Sequence, residues 1–302
     1  MTSFFGLLNL DKSAGMSSRT AVDAVQRLAG TAKVGHAGTL DPIATGVLVL
    51  GVGAATRLTS FVQEGRKTYR ATFQLGATSI TDDVEGVVTA LPDAPHLTAD
   101  QIADVLPEFV GRIEQVPPVF SAVHVNGRRA YELARKGEII ELAARSVDVY
   151  RFELVEYDEA TQRLVTEIEC GAGTYVRSLG RDLAKRLGTA AVMTELQRTA
   201  VGPFTLDEAV SLSELTSNAL AAQLRPAGLA VTELPRVDCD GAAVAAIRHG
   251  RAVPRPDGLW LKPGESVAVF DSDGQLVAIT SFDQRDATLR PKIVLPVDET
   301  AA

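Results

Sequence analysis

Asp41 lies in the stretch GHAGTLDPIATGVL, residues 35–48, between a Gly/His/Thr-rich approach and an apolar run. A carboxylate so placed can serve three chemistries. As a metal ligand it lacks companions: His36, His96, His124 and His249 are scattered, and neither HExxH nor CxxC occurs. As half of a glycosidase-type pair it needs a second carboxyl, which the flanking residues do not supply and the fold would have to bring. As a lone nucleophile it needs a rigid loop, a cationic neighbour to keep it ionised, and room for a substrate. Gly35 and Gly38 permit a tight turn, Pro42 stiffens the exit, and the apolar run behind anchors the loop. The same spacing also suits a plain Asp-Pro turn capped by Thr39, and spacing alone favours that reading.

Any such site needs elements to hold it. Ser17 or Ser18 caps a helix running to Gly30, with Ala21, Val22, Val25, Leu28 and Ala29 on one face. Thr98 with Gln101 forms a capping-box pattern before Ile102, Val105, Leu106 and Phe109. Between them TYRATFQLG alternates, with Tyr69, Ala71, Phe73 and Leu75 on one side of a half-buried strand. Asn126-Gly127 is a hairpin turn, and residues 147–170 read as two antiparallel strands around an acidic turn. Leu179, Leu183 and Leu187 then recur at helical spacing. Periodicity lapses among Pro and Gly at residues 224–240, and a shorter β-rich piece follows, so the chain divides into 1–235 and 236–302.

Composition limits the function classes. The N-terminus lacks a basic leader and reads as a first strand rather than a signal peptide. The longest uncharged stretch, Pro42 to Thr56, falls short of the ~20 apolar residues that span a bilayer. Cys170 and Cys239 fall in different parts of the chain, which suits reduced thiols in a cytoplasmic protein. The net charge of −8 argues against a nucleic-acid partner, and neither division is basic: residues 1–235 carry 22 basic and 28 acidic residues, and residues 236–302 carry 8 and 10. Basic residues nonetheless gather at Arg66, Lys67 and Arg70, at Arg128, Arg129, Arg135 and Lys136, and at Arg177, Arg181, Lys185 and Arg186, three clusters able to build one positive face.

GHAGTLDPIATGVL resembles the catalytic motif of the bacterial tRNA pseudouridine synthase B (TruB) family. Five further blocks of that family occur in order along the chain, LNLDKSAGMSS ahead of this motif and KTYRATFQLG, PPVFSAVHVNGRRAYELARKG, GTYVRSLGRDLAKRLG and TELQRTAVGPF after it. The resemblance covers about residues 5–210, and the tail is more weakly similar to the small PUA-type RNA-binding domain. It implies an α+β fold, a mixed, mainly antiparallel sheet flanked by helices, with a small C-terminal β-rich PUA-like domain. It also implies isomerisation of uridine 55 in the tRNA T-loop on a flipped-out base. Asp41 is then the nucleophile, adding at C6 of uracil or C1′ of ribose. Arg177 pairs with it and lowers its pKa, while Tyr69 stacks on the uracil and takes part in proton transfer. His36 fills the gap left by the base, Tyr175 and Leu196 contact that base, and Lys12 and Arg57 are phosphate contacts. No cofactor or metal is implied. The expected partner is the tRNA T-arm, with no membrane, no protein partner and a monomeric enzyme. Ser13 stands where the family often has proline, and Gln197 where a second arginine is frequent. Two other readings share these residues, a tRNA-folding chaperone and a guide-dependent rRNA pseudouridine synthase subunit. The insert VHVNGRRAYELARKGEIIEL resembles the stand-alone enzymes.

Overall fold

The computed structural model describes residues 5–121, 123–125, 127–134, 136–138 and 140–297. The helix Ser18–Ala29 forms where Ser17 caps it, accepting from the Thr20 N–H, and buries Ala21, Val22, Val25 and Ala29. Thr98 and Gln101 make the reciprocal capping box that opens the helix Ala99–Val105. The alternating segment becomes the strand Lys67–Leu75, with Tyr69, Ala71, Phe73 and Leu75 buried. The long strands Arg145–Asp158 and Arg163–Cys170 pair antiparallel around the acidic turn. His124–Val125 pairs with Arg128–Arg129, flanking the expected turn; Asn126 itself lies outside the described residues, as does Arg135.

Among the described residues these strands build one mixed, mainly antiparallel sheet of eleven strands, flanked by helices. Its main path runs from Val210–Ser211 through Gly6–Lys12, Thr45–Val52, Ala191–Val201, Lys67–Leu75, Arg163–Cys170 and Arg145–Asp158 to Gly111–Gln115. Two halves of this sheet meet through a short parallel contact of two register pairs, Gln197 with Thr45 and Arg198 with Gly46. Gly46 has φ +94°, and a Cβ there would stand 2.2 Å from the Arg198 carbonyl, so only glycine lets the strands close. The helix Val176–Arg186 covers one face by a similar device: a Cβ on Gly180 would lie 2.1 Å from the Phe73 ring.

Residues 236–294 carry a separate five-stranded sheet, with the order Arg236–Asp238, Ser266–Phe270, Leu276–Asp283, Thr288–Val294 and Val253–Pro254. The segment GAAVAAIR forms a helix, Gly241–Arg248, capped by Asp240. This sheet is not packed apart from the rest. Ala268, Phe270, Leu276, Ile279 and Leu295 share one apolar cluster with Leu7, Val47, Val49, Phe204 and Val231. No helix among the described residues is long and apolar enough to cross a membrane.

Candidate active site

A cleft of about 890 Å³ opens where the sheet halves meet, and Asp41, Tyr69, Tyr175, Arg177, Leu196 and Arg198 all line it. Asp41 sits in an irregular segment fastened on both sides. Ser18 Oγ, at the start of the first helix, accepts from Leu40 N–H (2.8 Å) and donates to Leu40 C=O (3.0 Å). Arg198 is buried and donates from Nε to Val47 C=O (2.7 Å), from Nη2 to Gly38 C=O (3.3 Å) and from Nη1 to Thr39 C=O (3.5 Å). Lys12 Nζ donates to the carbonyls of Ser13, Met16 and Pro42 at 3.0, 2.6 and 3.4 Å. The loop is thereby held at Gly38, Thr39, Leu40 and Pro42, and Asp41 inherits their rigidity.

Arg177, only 6% exposed, meets Asp41 Oδ2 through Nη2 at 3.0 Å. It also donates to Thr81 C=O (2.9 Å) and Phe120 C=O (3.2 Å), and its Nη1 lies 3.3 Å from Asp83 Oδ2. A cation in the first turn of a helix opposes the helix dipole, and a buried one needs paired charges; the two carboxylates supply them. Asp83 is buried and held in turn by Thr81 Oγ1 (2.6 Å) and Glu85 N–H (3.0 Å). The fold therefore brings Asp41 a second carboxylate, but with an arginine between the two.

Family comparisons accord with this geometry. Residues 26–176 match the N-terminal domain of the TruB family of pseudouridylate synthases, and residues 177–233 match the tRNA pseudouridylate synthase B C-terminal domain. The chain belongs to the TruB family. A relative from Paenarthrobacter aurescens named tRNA pseudouridine synthase B is 41% identical over 91% of this chain and 90% of its own. A Mycobacterium tuberculosis relative of the same name is 40% identical over 96% and 98%. Among solved structures, a chain of the crystal structure of a Cbf5-Nop10-Gar1 complex is similar with TM-score 0.78 and 28% identity, covering 99% of this chain and 87% of that one. The two TruB family matches meet at the start of the helix Val176–Arg186. Strand Ala191–Val201, within the second match, lies inside the main sheet, so that match is not a separate body.

One expectation for this TruB site needs correction, that for Lys12, and those for Arg177 and Arg57 are qualified by their surroundings. Arg177 was expected to lower the Asp41 pKa; its pull is present, but burial outweighs it and Asp83 adds to the rise, so the carboxyl is held above its ordinary range. Lys12 was expected on a phosphate, yet its side chain has no exposed surface and is spent on loop carbonyls, so it is a fastener that also helps hold the Asp41 charge. Arg57, exposed and outside the cleft lining, donates from Nη1 to Val294 C=O (2.8 Å), joining the main sheet to the second one, with its other N–H groups not used in that bond.

The remaining expected residues fall as follows. Tyr69 is buried beside the cleft, its hydroxyl pushed up by burial and partly restrained by Arg198, its cross-strand partner. Leu196 pairs with Ala71 and lines the cleft. Tyr175 occupies the N-cap position of the helix that carries Arg177, without a side-chain cap bond. His36 is half-buried on the short strand Val34–His36, beside the loop but outside the lining; its Nδ1 is buried without a hydrogen bond, and burial, then Arg198 and Arg19, lower its pKa. Sequence reasoning missed Arg198, Asp83, Ser18 and Lys67. Lys67 lines the cleft, caps the Gln63 and Gly65 carbonyls, and is pushed down to about 8 chiefly by burial. Arg198 had a readable signal: it shares strand parity with the buried Leu196.

Proposed function

We propose that this chain converts uridine 55 in the T-loop of tRNA to pseudouridine, with Asp41 as the nucleophile on a flipped-out base. As a TruB family pseudouridylate synthase it is an isomerase, and its curated relatives are named for tRNA. The observation that carries the reading is the Asp41–Arg177 pair at 3.0 Å, on a stapled loop, in a cleft that also presents Tyr69. Asp41 adds to C6 of uracil or C1′ of ribose; the C1′–N1 bond breaks, the base turns, and a C1′–C5 bond forms. The C5 proton leaves, N1 ends protonated, and the Asp41 ester is released, so atoms balance without a cofactor.

Tyr69 stacks on the uracil and relays the proton, Tyr175 and Leu196 contact the base, and His36, largely uncharged at neutral pH, fills the vacated stack. The tail from residue 236 serves as a PUA-like domain that positions tRNA beside a catalytic part of residues 1–235. The enzyme acts as a cytoplasmic monomer with no protein partner. Likeness to a Cbf5-Nop10-Gar1 chain favours an assembly subunit as the second reading, but 41% identity to a relative named for tRNA against 28% to that chain weighs for the first. Purified protein should form one pseudouridine, at position 55, in an unmodified tRNA transcript with nothing else added. Product only after a partner protein is supplied, or at another position, would contradict the proposal.

A further inference from the structure

Gln115 ends the strand Gly111–Gln115 and is fully buried. Its Oε1 accepts from Tyr175 N–H at 2.8 Å, and its Nε2 donates to Tyr175 C=O at 3.1 Å. One side chain, 60 residues away in sequence, thus holds both peptide groups beside the Tyr175 Cα. The register partner of Gln115 on the next strand is Arg145. Arg145 Nη2 donates to Gly173 C=O at 2.7 Å, and its guanidinium lies 4.8 Å from the centre of the Tyr175 ring. Both Arg145 and Tyr175 line the cleft, whereas Gln115 stands behind them.

Burying a primary amide is unfavourable unless its donors and acceptors are matched, so a position that would accept an apolar side chain is here committed to one task. Holding Arg177 is not that task, because Thr81, Phe120 and Asp83 already anchor its guanidinium. Tyr175 has no side-chain cap bond to its own helix. The pair from the strand ladder therefore acts on Tyr175.

We infer that Gln115 and Arg145 form a cradle that sets Tyr175 against the reacting base, which makes both of them positioning residues. The inference rests on the reading of Tyr175 as a contact for the flipped uracil. Gln115 fixes the backbone on either side of the tyrosine, and Arg145 covers one face of its ring. Side-chain rotation is then nearly the only freedom left, and the uncovered face and edge serve the nucleobase. Near-attack geometry is sensitive to shifts of about 1 Å, which can cost on the order of 100-fold in rate.

The test is a double-mutant cycle on unmodified tRNA. Gln115→Met keeps the volume and removes both hydrogen bonds. It should lower kcat about 10- to 50-fold with tRNA affinity within about threefold. In a Tyr175→Ala background the same change should cost less than about twofold, because the residue it positions is gone. An equal loss in both backgrounds, or wild-type kcat in Gln115→Met, overturns the cradle. Should Gln115→Met not fold, Arg145→Gln at the more open rim runs the same cycle with the same criteria. Asp41→Asn assayed alongside separates the two claims: if it is inactive while Gln115 and Arg145 prove indifferent, the cradle alone fails, and if it stays active, the functional reading fails.

Discussion

Asp41 carries two opposed influences: burial and Asp83 raise its pKa, while Arg177 and Lys12 lower it, and the rise wins. Its proton is held more tightly in the folded protein than in the unfolded chain. The stability that the protonated Asp41 carboxyl contributes is therefore present below the ordinary 3.8 and is lost as pH climbs through the raised value. Asp41→Asn should consequently melt at or above the wild-type temperature at pH 7, with the difference closing toward about pH 3. The acid limb of kcat/KM for the wild-type enzyme should have its midpoint above that of an ordinary carboxylate, measured with a short T-arm substrate. At this scale Asp41, Tyr69, Arg177, Tyr175 and Leu196 were legible because their motif blocks are intact, and the fold gathers them in one cleft. Lys12 was misread because a lysine next to a loop looks solvated in sequence; only the packing reveals that three carbonyls consume its ammonium. Asp83 was invisible for the converse reason, since nothing local in TDDVEG says that its two aspartates, Asp82 on Arg181 and Asp83 on Arg177, face a helix nearly a hundred residues away.

Two contacts between elements hold the site together, and each makes a measurable claim. Arg198 ties strand Ala191–Val201 to the Asp41 loop and to strand Thr45–Val52 through three carbonyls. Arg198→Met would leave those carbonyls unmatched, so denaturant unfolding should show a loss of about 2–3 kcal/mol, with kcat falling more than tRNA affinity. Gly180 lets the Arg177 helix sit directly on Phe73. Gly180→Ala should cost about 1–3 kcal/mol by overpacking and reduce kcat by lifting Arg177, and Phe73→Leu in the same chain should recover part of both. The elements themselves were largely legible: the Ser17 cap, the Thr98–Gln101 box and the alternation at Tyr69 to Leu75 are local signals that the fold obeys. The order of strands was not, because the two-pair parallel contact between Thr45–Val52 and Ala191–Val201 depends on a glycine's close approach rather than on periodicity.

At the scale of the whole molecule, the break in periodicity near residues 224–240 marks where a second sheet begins, but that sheet shares apolar packing with Leu7, Val47 and Phe204. Sequence composition cannot show such packing, because both partners look like ordinary core residues. The expected positive face is also altered by the fold. Arg66 meets Glu169, Arg128 meets Glu138, Arg181 meets Asp82 and Asp182, Arg186 meets Glu108, and Arg177 is buried on Asp41 and Asp83. With so many cluster arginines already paired, tRNA affinity should fall by about 10- to 100-fold between 50 and 200 mM salt, short of the roughly thousandfold or greater loss for 6–10 phosphate contacts. A thousandfold loss in a titration would show that these pairs open on RNA. The most direct test of the central claim compares wild type with Asp41→Asn on unmodified tRNA, mapping pseudouridine at position 55 and measuring tRNA binding on the same samples. The account predicts full conversion by the wild type and none by the variant, with affinity within about threefold. Retention of even a tenth of the wild-type turnover by Asp41→Asn would contradict it.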